Sequence, residues 1–372
     1  MADLNLKTHL AAFKNPLYLE SGRILEPFEI AYETYGELNE AKDNAIVICH
    51  ALSGSHHAAG FYEGEKRPGW WDALIGGGKA VDTDKFFVIC ANTIGSCFGS
   101  TGPTSAAYPK LEPYRLKFPV ITIKDMVKAQ RLLLDSLGIT RLHAVIGGSM
   151  GGMQALHYAI DYPSLAKRVI ALATTSATSA WAIAFNKIAI ESIVSDPEFQ
   201  GGDYDISAVK SRGLRGAAIG RMAAHISFLS PESMREKFGR DYAPTDGLFD
   251  LFGKFQIERY LDYNGGNFPK WFDPLAFIYI AKAINIYDLS RGYDTLENAL
   301  ARARSHIYLF GFERDLLFLP AEMEAIDLAM KSVGKGDLSN YCLVKSDYGH
   351  DAFLTEVDKF SDRIAEILGA EI

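Results

Sequence analysis

Ser149 stands in the run His143-Ala144-Val145-Ile146-Gly147-Gly148-Ser149-Met150-Gly151-Gly152-Met153-Gln154, where a β-rich apolar stretch meets a Gly-x-Ser-x-Gly turn and then a helix-like segment. A serine on so sharp a strand-to-helix turn needs small neighbours, because its backbone is strained and adjacent side chains would collide. Gly147 and Gly151 supply that room. The turn would project the Ser149 hydroxyl above the carboxyl end of a sheet, with the Met150 N–H and the positive end of the helix beside it. That is the equipment of a nucleophile that takes up an acyl group. Taken alone, the same glycine-rich turn could also be a tight connection or a phosphate cradle. A dinucleotide-binding reading fits poorly, since the frame G-x-G-x-x-G is missing.

A serine nucleophile of this type requires a base and a residue to orient it, and the chain order Ser, Asp/Glu, His can be met. Asp315 follows the apolar run His306 to Phe310 after Gly311-Phe312-Glu313-Arg314, and His350 follows Tyr341-Cys342-Leu343-Val344 in the loop Lys345-Ser346-Asp347-Tyr348-Gly349-His350-Asp351. A carboxylate on the imidazole N–H fixes its tautomer and stabilises the imidazolium formed when the serine loses its proton. Glu313 and Asp347 compete with Asp315 for that task, although exposed loop positions suit them better. His143, His157 and His306 lie inside expected strands or helices and read as packing or capping residues. A second oxyanion donor is expected from the loop His50-Ala51-Leu52-Ser53-Gly54, and the Leu52 N–H is assigned to it; an ordinary strand exit, with His50 bonding locally, is the alternative.

The elements that must hold these residues can be read from short buried-strand patterns at Ala45 to Cys49, Phe86 to Cys90, His143 to Ile146, Arg168 to Leu172, His306 to Phe310 and Tyr341 to Val344. Helix-like segments alternate with them, such as Lys124 to Leu137 and Met150 to Tyr162, which implies a mostly parallel sheet covered on both faces. The stretch Ile24 to Tyr35 alternates and suits antiparallel edge strands. From about Ala182 to Tyr293 strand signals vanish and helical patterns take over. The expectation is an α/β fold of the α/β-hydrolase type with a helical lid insertion: core residues 1–181, lid 182–293, and core again 294–372.

The chain has 372 residues, 38 Lys plus Arg against 46 Asp plus Glu, and a formal charge of -8. Without a basic face, nucleic acid is not an expected partner. The N-terminus lacks a signal-peptide pattern and no apolar run is long enough to span a bilayer, so no membrane association and a cytoplasmic address are expected. The four cysteines (Cys49, Cys90, Cys97, Cys342) show neither CxxC spacing nor zinc-ligand company and read as reduced thiols.

Beyond the triad, many separated segments resemble one family, the homoserine O-acyltransferases of methionine biosynthesis, which usually use acetyl-CoA. They include His50-Ala51-Leu52-Ser53-Gly54, Pro68-Gly69-Trp70-Trp71-Asp72, Asp82 to Cys90, Gly99-Ser100-Thr101-Gly102-Pro103, Gly147 to Gln154, Gly201-Gly202-Asp203-Tyr204, Glu236 to Arg240, Asp315-Leu316-Leu317-Phe318 and Tyr348 to Leu354. The resemblance implies acetyl transfer from acetyl-CoA as co-substrate to the hydroxyl of L-homoserine, a ping-pong course through Ser149, no cofactor or metal, and a homodimer joined through the lid. It further implies that Arg221 and Asp351 bind the amino-acid acceptor, a guanidinium suiting its carboxylate and a carboxylate its ammonium. Two departures stand out: Phe228 where many relatives carry tyrosine, and Leu319 before Pro320. Four other readings remain open on sequence: a succinyl donor, serine as acceptor, a serine esterase or thioesterase with the same triad, and a non-catalytic binding protein on this fold.

Overall fold

A computed structural model describes residues 6–243 and 249–371. Its centre is an eight-stranded sheet. In chain order the strands are β1 (His9–Phe13), β2 (Phe28–Tyr35), β3 (Ala45–Cys49), β4 (Phe87–Ala91), β5 (Leu142–Gly148), β6 (Ala166–Leu172), β7 (His306–Phe312) and β8 (Ser339–Val344). Their spatial order is β1-β2-β4-β3-β5-β6-β7-β8. The two pairings that involve β2 are antiparallel, and every other pairing in this sheet is parallel. Both expectations for the sheet, antiparallel strands at the Ile24 to Tyr35 edge and parallel strands beyond, hold.

The strand runs lack polar alternation because both faces of the sheet are covered. Along β3, Ala45, Val47 and Cys49 enter one hydrophobic core while Ile46 and Ile48 enter the other; along β5 and β6, Val145, Val169 and Ala171 join the first core, and Ala144, Ile146, Ile170 and Leu172 the second. Successive side chains point to opposite faces, so a strand buried on both sides must be apolar throughout. Each fully buried Val, Ile or Leu contributes about 1.5–3 kcal/mol relative to exposure. Helix α1 (Ile123–Ser136) begins at a capping box made by Thr122 and Asp125. Helix α2 (Met150–Asp161) packs on β5 and β6.

Between β6 and β7 the chain is helical: α3 (Ala180–Val194), α4 (Ile206–Arg212), α5 (Arg215–Phe228), α6 (Pro231–Phe238), α7 (Gln256–Trp271), α8 (Pro274–Asn285) and α9 (Leu296–Leu300). Caps set several starts: Ser179, Asp205, Ser230 and Asp273 accept first-turn N–H groups, and proline opens α6 and α8. The Ser179 cap starts α3 at Ala180, slightly before the expected lid boundary. Helices α3, α5 and α7 lie close together because glycines face the crossings. A Cβ on Gly216 would lie 2.0 Å from Ser192 O, and one on Gly265 2.7 Å from Ala218 O. The chain leaves and returns at a narrow neck where Thr178 N donates to Tyr287 O at 3.1 Å and Leu289 N to Ser176 O at 2.8 Å. After β7 come α10 (Pro320–Ser332), which packs on β7 and β8, then α11 (Ala352–Thr355) and α12 (Ser361–Gly369).

The four cysteines are free thiols, Cys49 and Cys90 buried. Among the described residues no helix is long and apolar enough to cross a membrane, and no group of three or more His, Cys, Asp or Glu is placed to hold a metal ion.

Candidate active site

Register places the candidate nucleophile at the middle of the sheet. In β5, Gly147 lies beside Cys49 of β3 and Ala171 of β6, so Ser149 emerges just past the carboxyl ends of three buried strands. Its backbone has φ 57° and ψ -122°, a conformation that costs a non-glycine residue on the order of 1–3 kcal/mol. The surroundings hold it there: Ser149 N donates to Leu172 O at 2.9 Å, and Ser149 O accepts from Gly152 N at 2.9 Å and Thr174 Oγ1 at 2.8 Å. The flanking glycines have no room for a side chain. A Cβ on Gly147 would lie 2.2 Å from Gly151 O, and one on Gly151 2.0 Å from Cys49 O.

Asp315 and His350 reach Ser149 from the loops after β7 and β8. His350 Nε2 is 2.9 Å from Ser149 Oγ, and His350 Nδ1 is 2.7 Å from Asp315 Oδ2. Asp315 Oδ1 accepts from Leu317 N at 2.8 Å and Phe318 N at 3.0 Å, which fixes the carboxylate plane. An ionised carboxylate is an acceptor only, so Nδ1 carries the proton and Nε2 presents its lone pair to the serine hydroxyl. Burial disfavours the imidazolium, but the charge and hydrogen bond of Asp315 outweigh it and raise the His350 pKa. The competing carboxylates are elsewhere: Glu313 is exposed, and Asp347 is exposed beside Arg314 at 3.6 Å. His143 and His157 are spent on structure, bonding Leu368 O and Asp161 Oδ2, each at 2.8 Å.

The His350 loop is tied to the helical insertion. Asp351 N donates to Phe228 O at 3.1 Å and Ser230 N to Tyr348 O at 2.9 Å, while a Cβ on Gly349, at φ 107°, would lie 2.6 Å from Ser230 N. Rings of Phe228, Phe318 and Phe353 surround the imidazole at centroid distances of 6.0, 5.3 and 5.6 Å.

Leu52 lines the same cavity as Ser149, and Met150 follows Ser149 directly. Met150 is the first residue of α2 and Leu52 lies in the loop after β3; among the described residues neither N–H is donated within the protein. The Leu52 loop is braced by His50, whose Nδ1 bonds Ala51 O at 2.8 Å and whose Nε2 accepts from Thr93 N at 3.0 Å. Burial pushes the His50 pKa down to about 4, so it is a neutral strut. Gln154 Nε2 donates to His50 O at 3.3 Å, joining that strut to the helix behind Ser149.

Ser149 and His350 open into a cavity of about 840 Å³, counting its mouth, between the sheet and the insertion. Its walls are mainly apolar, with Ala182, Phe185, Ala189, Phe228, Phe277 and Ile284 from the insertion. Arg221 and Asp351 both line it. The Arg221 guanidinium lies over the rings of Phe268 at 4.7 Å and Phe228 at 5.3 Å. Burial lowers the Arg221 pKa, partly offset by Asp351; burial also raises that of Asp351, against the opposing influence of His350 and Arg221. The structure thus brings all seven sequence-derived site residues to one end of the sheet. The apolar walls from α3 and α8, and the ring of Phe268, were not foreseen, because a helix residue facing a cavity has the same periodicity as one facing a core.

This sheet order and a strained serine at the strand-helix turn define an α/β hydrolase, and a family model described as alpha/beta hydrolase fold matches residues 44–357. The sequence is 65% identical to a homoserine O-acetyltransferase of Sulfurimonas autotrophica over 365 residues, covering 98% of this chain and 99% of the relative. The structure is similar to a crystal structure of homoserine O-acetyltransferase from Bacillus anthracis, with a TM-score of 0.91 at 28% identity, covering 99% of this chain and 98% of that one. A crystal structure of an esterase is also similar, with a TM-score of 0.88 at 30% identity, covering 98% of this chain and 100% of that one. The chain belongs to the homoserine O-acetyltransferase family of the α/β-hydrolase fold. The resemblance read from separated sequence motifs is borne out.

Proposed function

We propose that this chain transfers the acetyl group of acetyl-CoA to the hydroxyl of L-homoserine through an acetyl ester on Ser149. Ser149 Oγ attacks the thioester carbonyl as its proton passes to His350 Nε2, and the Leu52 and Met150 N–H groups receive the developing oxyanion. The C–S bond breaks, the thiolate takes the proton from His350, and CoA leaves. The homoserine hydroxyl then gives its proton to His350 and attacks the acetyl carbonyl; Ser149 Oγ departs and is reprotonated. Asp315 keeps the imidazole in the working tautomer throughout.

The observation that carries this reading is the pair of opposite charges, Arg221 and Asp351, in the cavity that holds Ser149 and His350. A free amino acid carries one anionic and one cationic end, and Arg221 and Asp351 match them. The insertion, residues 182–293, acts as a lid whose apolar walls exclude water from the acyl ester. Among the described lining residues Arg221 is the one Lys or Arg. With it occupied by the acceptor, a succinyl carboxylate has no cation of its own, which favours acetyl. The same reading includes a cytoplasmic address, and a homodimer joined by the lid, for which exposed Trp181, Ile188 and Ile219 on α3 and α5 offer an apolar surface.

Because an esterase shares the fold, hydrolysis is the competing activity. CoA release from acetyl-CoA and succinyl-CoA, each with and without L-homoserine, separates them. Homoserine-dependent release with acetyl-CoA is expected. Release indifferent to homoserine would make the chain a thioesterase.

A further inference from the structure

Behind Arg221, outside the cavity wall, lie two residues to which the mechanism gives no task. Arg221 Nε is 3.2 Å from His225 Nε2, one helical turn on along α5, and His225 Nδ1 is 3.3 Å from Tyr260 OH on α7. The chemistry fixes every proton in this chain of contacts. A guanidinium nitrogen has no lone pair to offer, so Arg221 Nε must donate and His225 Nε2 must accept; Nδ1 then carries the imidazole hydrogen and donates to the Tyr260 oxygen. Burial and the nearby Arg221 charge lower the His225 pKa to about 3, so Nε2 keeps its lone pair across the working pH range. The guanidinium faces are held by Phe228 and by Phe268, which shares α7 with Tyr260. Among the described residues neither Nη of Arg221 has a protein partner.

We infer that His225 and Tyr260 are positioning residues for the acceptor: they clamp Arg221 by its Nε so that only the Nη edge meets the acceptor carboxylate, which fixes the span from that carboxylate to Ser149 and selects homoserine over serine. The inference rests on the acyl-transfer reading above. Serine is shorter by one methylene; with its carboxylate on a guanidinium that cannot advance, its hydroxyl falls short of the acyl carbonyl. An Arg221 free to swing would reach after the shorter substrate, and discrimination would fall.

The test compares wild type with His225→Leu, His225→Gln and Tyr260→Phe, measuring enzyme acetylation by acetyl-CoA without acceptor, then kcat and KM with homoserine and with serine. In His225→Leu, homoserine KM should rise about tenfold or more, as expected for a lost hydrogen bond to a charged group. Its homoserine-to-serine ratio of kcat/KM should fall, while acetylation stays near the wild-type rate. Glutamine offers an acceptor oxygen to Nε, so His225→Gln should recover most of the loss. Tyr260→Phe removes one hydroxyl and should shift KM and the ratio in the same direction by a smaller factor, which keeps the test open if the leucine variant does not fold. An equal loss in acetylation and acceptor use, or an unchanged substrate ratio in His225→Leu and Tyr260→Phe alike, would overturn the assignment. Wild-type acetylation without any homoserine use would instead overturn the transferase reading beneath it.

Discussion

The ring of Phe353 occupies the space that a side chain at residue 148 would need: a Cβ on Gly148 would lie 2.3 Å from Phe353 Cδ2. The turn before Ser149 and the helix after His350 are therefore in direct contact, although about two hundred residues separate them. Trp71 secures the far side, donating from Nε1 to Phe353 O at 2.9 Å. Gly148→Ala should push the Phe353 ring against His350, destabilising the fold by about 1–3 kcal/mol and lowering acetylation far more than that fraction unfolded explains. Denaturant unfolding and burst-phase acetylation measured on the same sample check this; a stable variant with a normal burst would contradict it.

The raised pKa of His350 has a definite sign. The folded protein favours the imidazolium more than the unfolded chain does, so this group's contribution to stability is present in full below the ordinary imidazole value and is lost as pH rises through the folded value. Catalysis needs the neutral ring, so the acid limb of kcat/KM should lie above the ordinary imidazole range. Asp315→Asn should move that limb down and cut the rate by about 10⁴. A pH-rate profile of both proteins decides it.

Arg221→Ala should spare the donor half-reaction and damage the acceptor half-reaction. Its guanidinium is the cation in the described lining, so the homoserine carboxylate would enter an apolar cavity unpaired. Single-turnover acetylation followed by a chase with homoserine separates the steps, with a loss of about a hundredfold or more expected in the chase alone. Equal losses would mark Arg221 as structural.

Where the helical insertion rejoins the sheet, Asp161 links α2 to the returning chain through Tyr293. It accepts from His157 Nδ1 at 2.8 Å and from Tyr293 OH, with Lys124 Nζ at 3.3 Å. Burial alone would raise the Asp161 carboxyl, but these partners hold it down at about 2. Its stabilisation is therefore complete above the ordinary carboxylate value and is lost as pH falls from there through about 2. Asp161→Asn should cost about 1–3 kcal/mol at neutral pH, a gap that narrows by pH 3. Chemical denaturation at both pH values measures it.

Much of this was legible in the chain. Strands buried on both faces announce themselves as uninterrupted apolar runs, and Ala45 to Cys49 was placed to the residue. The Phe86 to Cys90 run is displaced by one, since β4 spans Phe87–Ala91; apolarity continues into Ala91, and only hydrogen bonding to neighbours sets where a strand stops. Ser149 could be found because a strained turn restricts its neighbours to glycine, a local demand that leaves a local mark.

The partners of Arg221 could not be found in this way. His225 and Tyr260 are ordinary residues of amphipathic helices, and their meeting depends on how α5 crosses α7. By itself the sequence determined the sheet, the strained turn at Ser149 and the loops that carry Asp315 and His350, because each is written in short-range pattern. Only tertiary structure decided that Glu313 and Asp347 turn outward, that Phe353 fills the space over Gly148, and that the Nε of Arg221 is occupied. Those outcomes depend on which surfaces come within contact distance, and packing between distant segments has no period for a sequence to display.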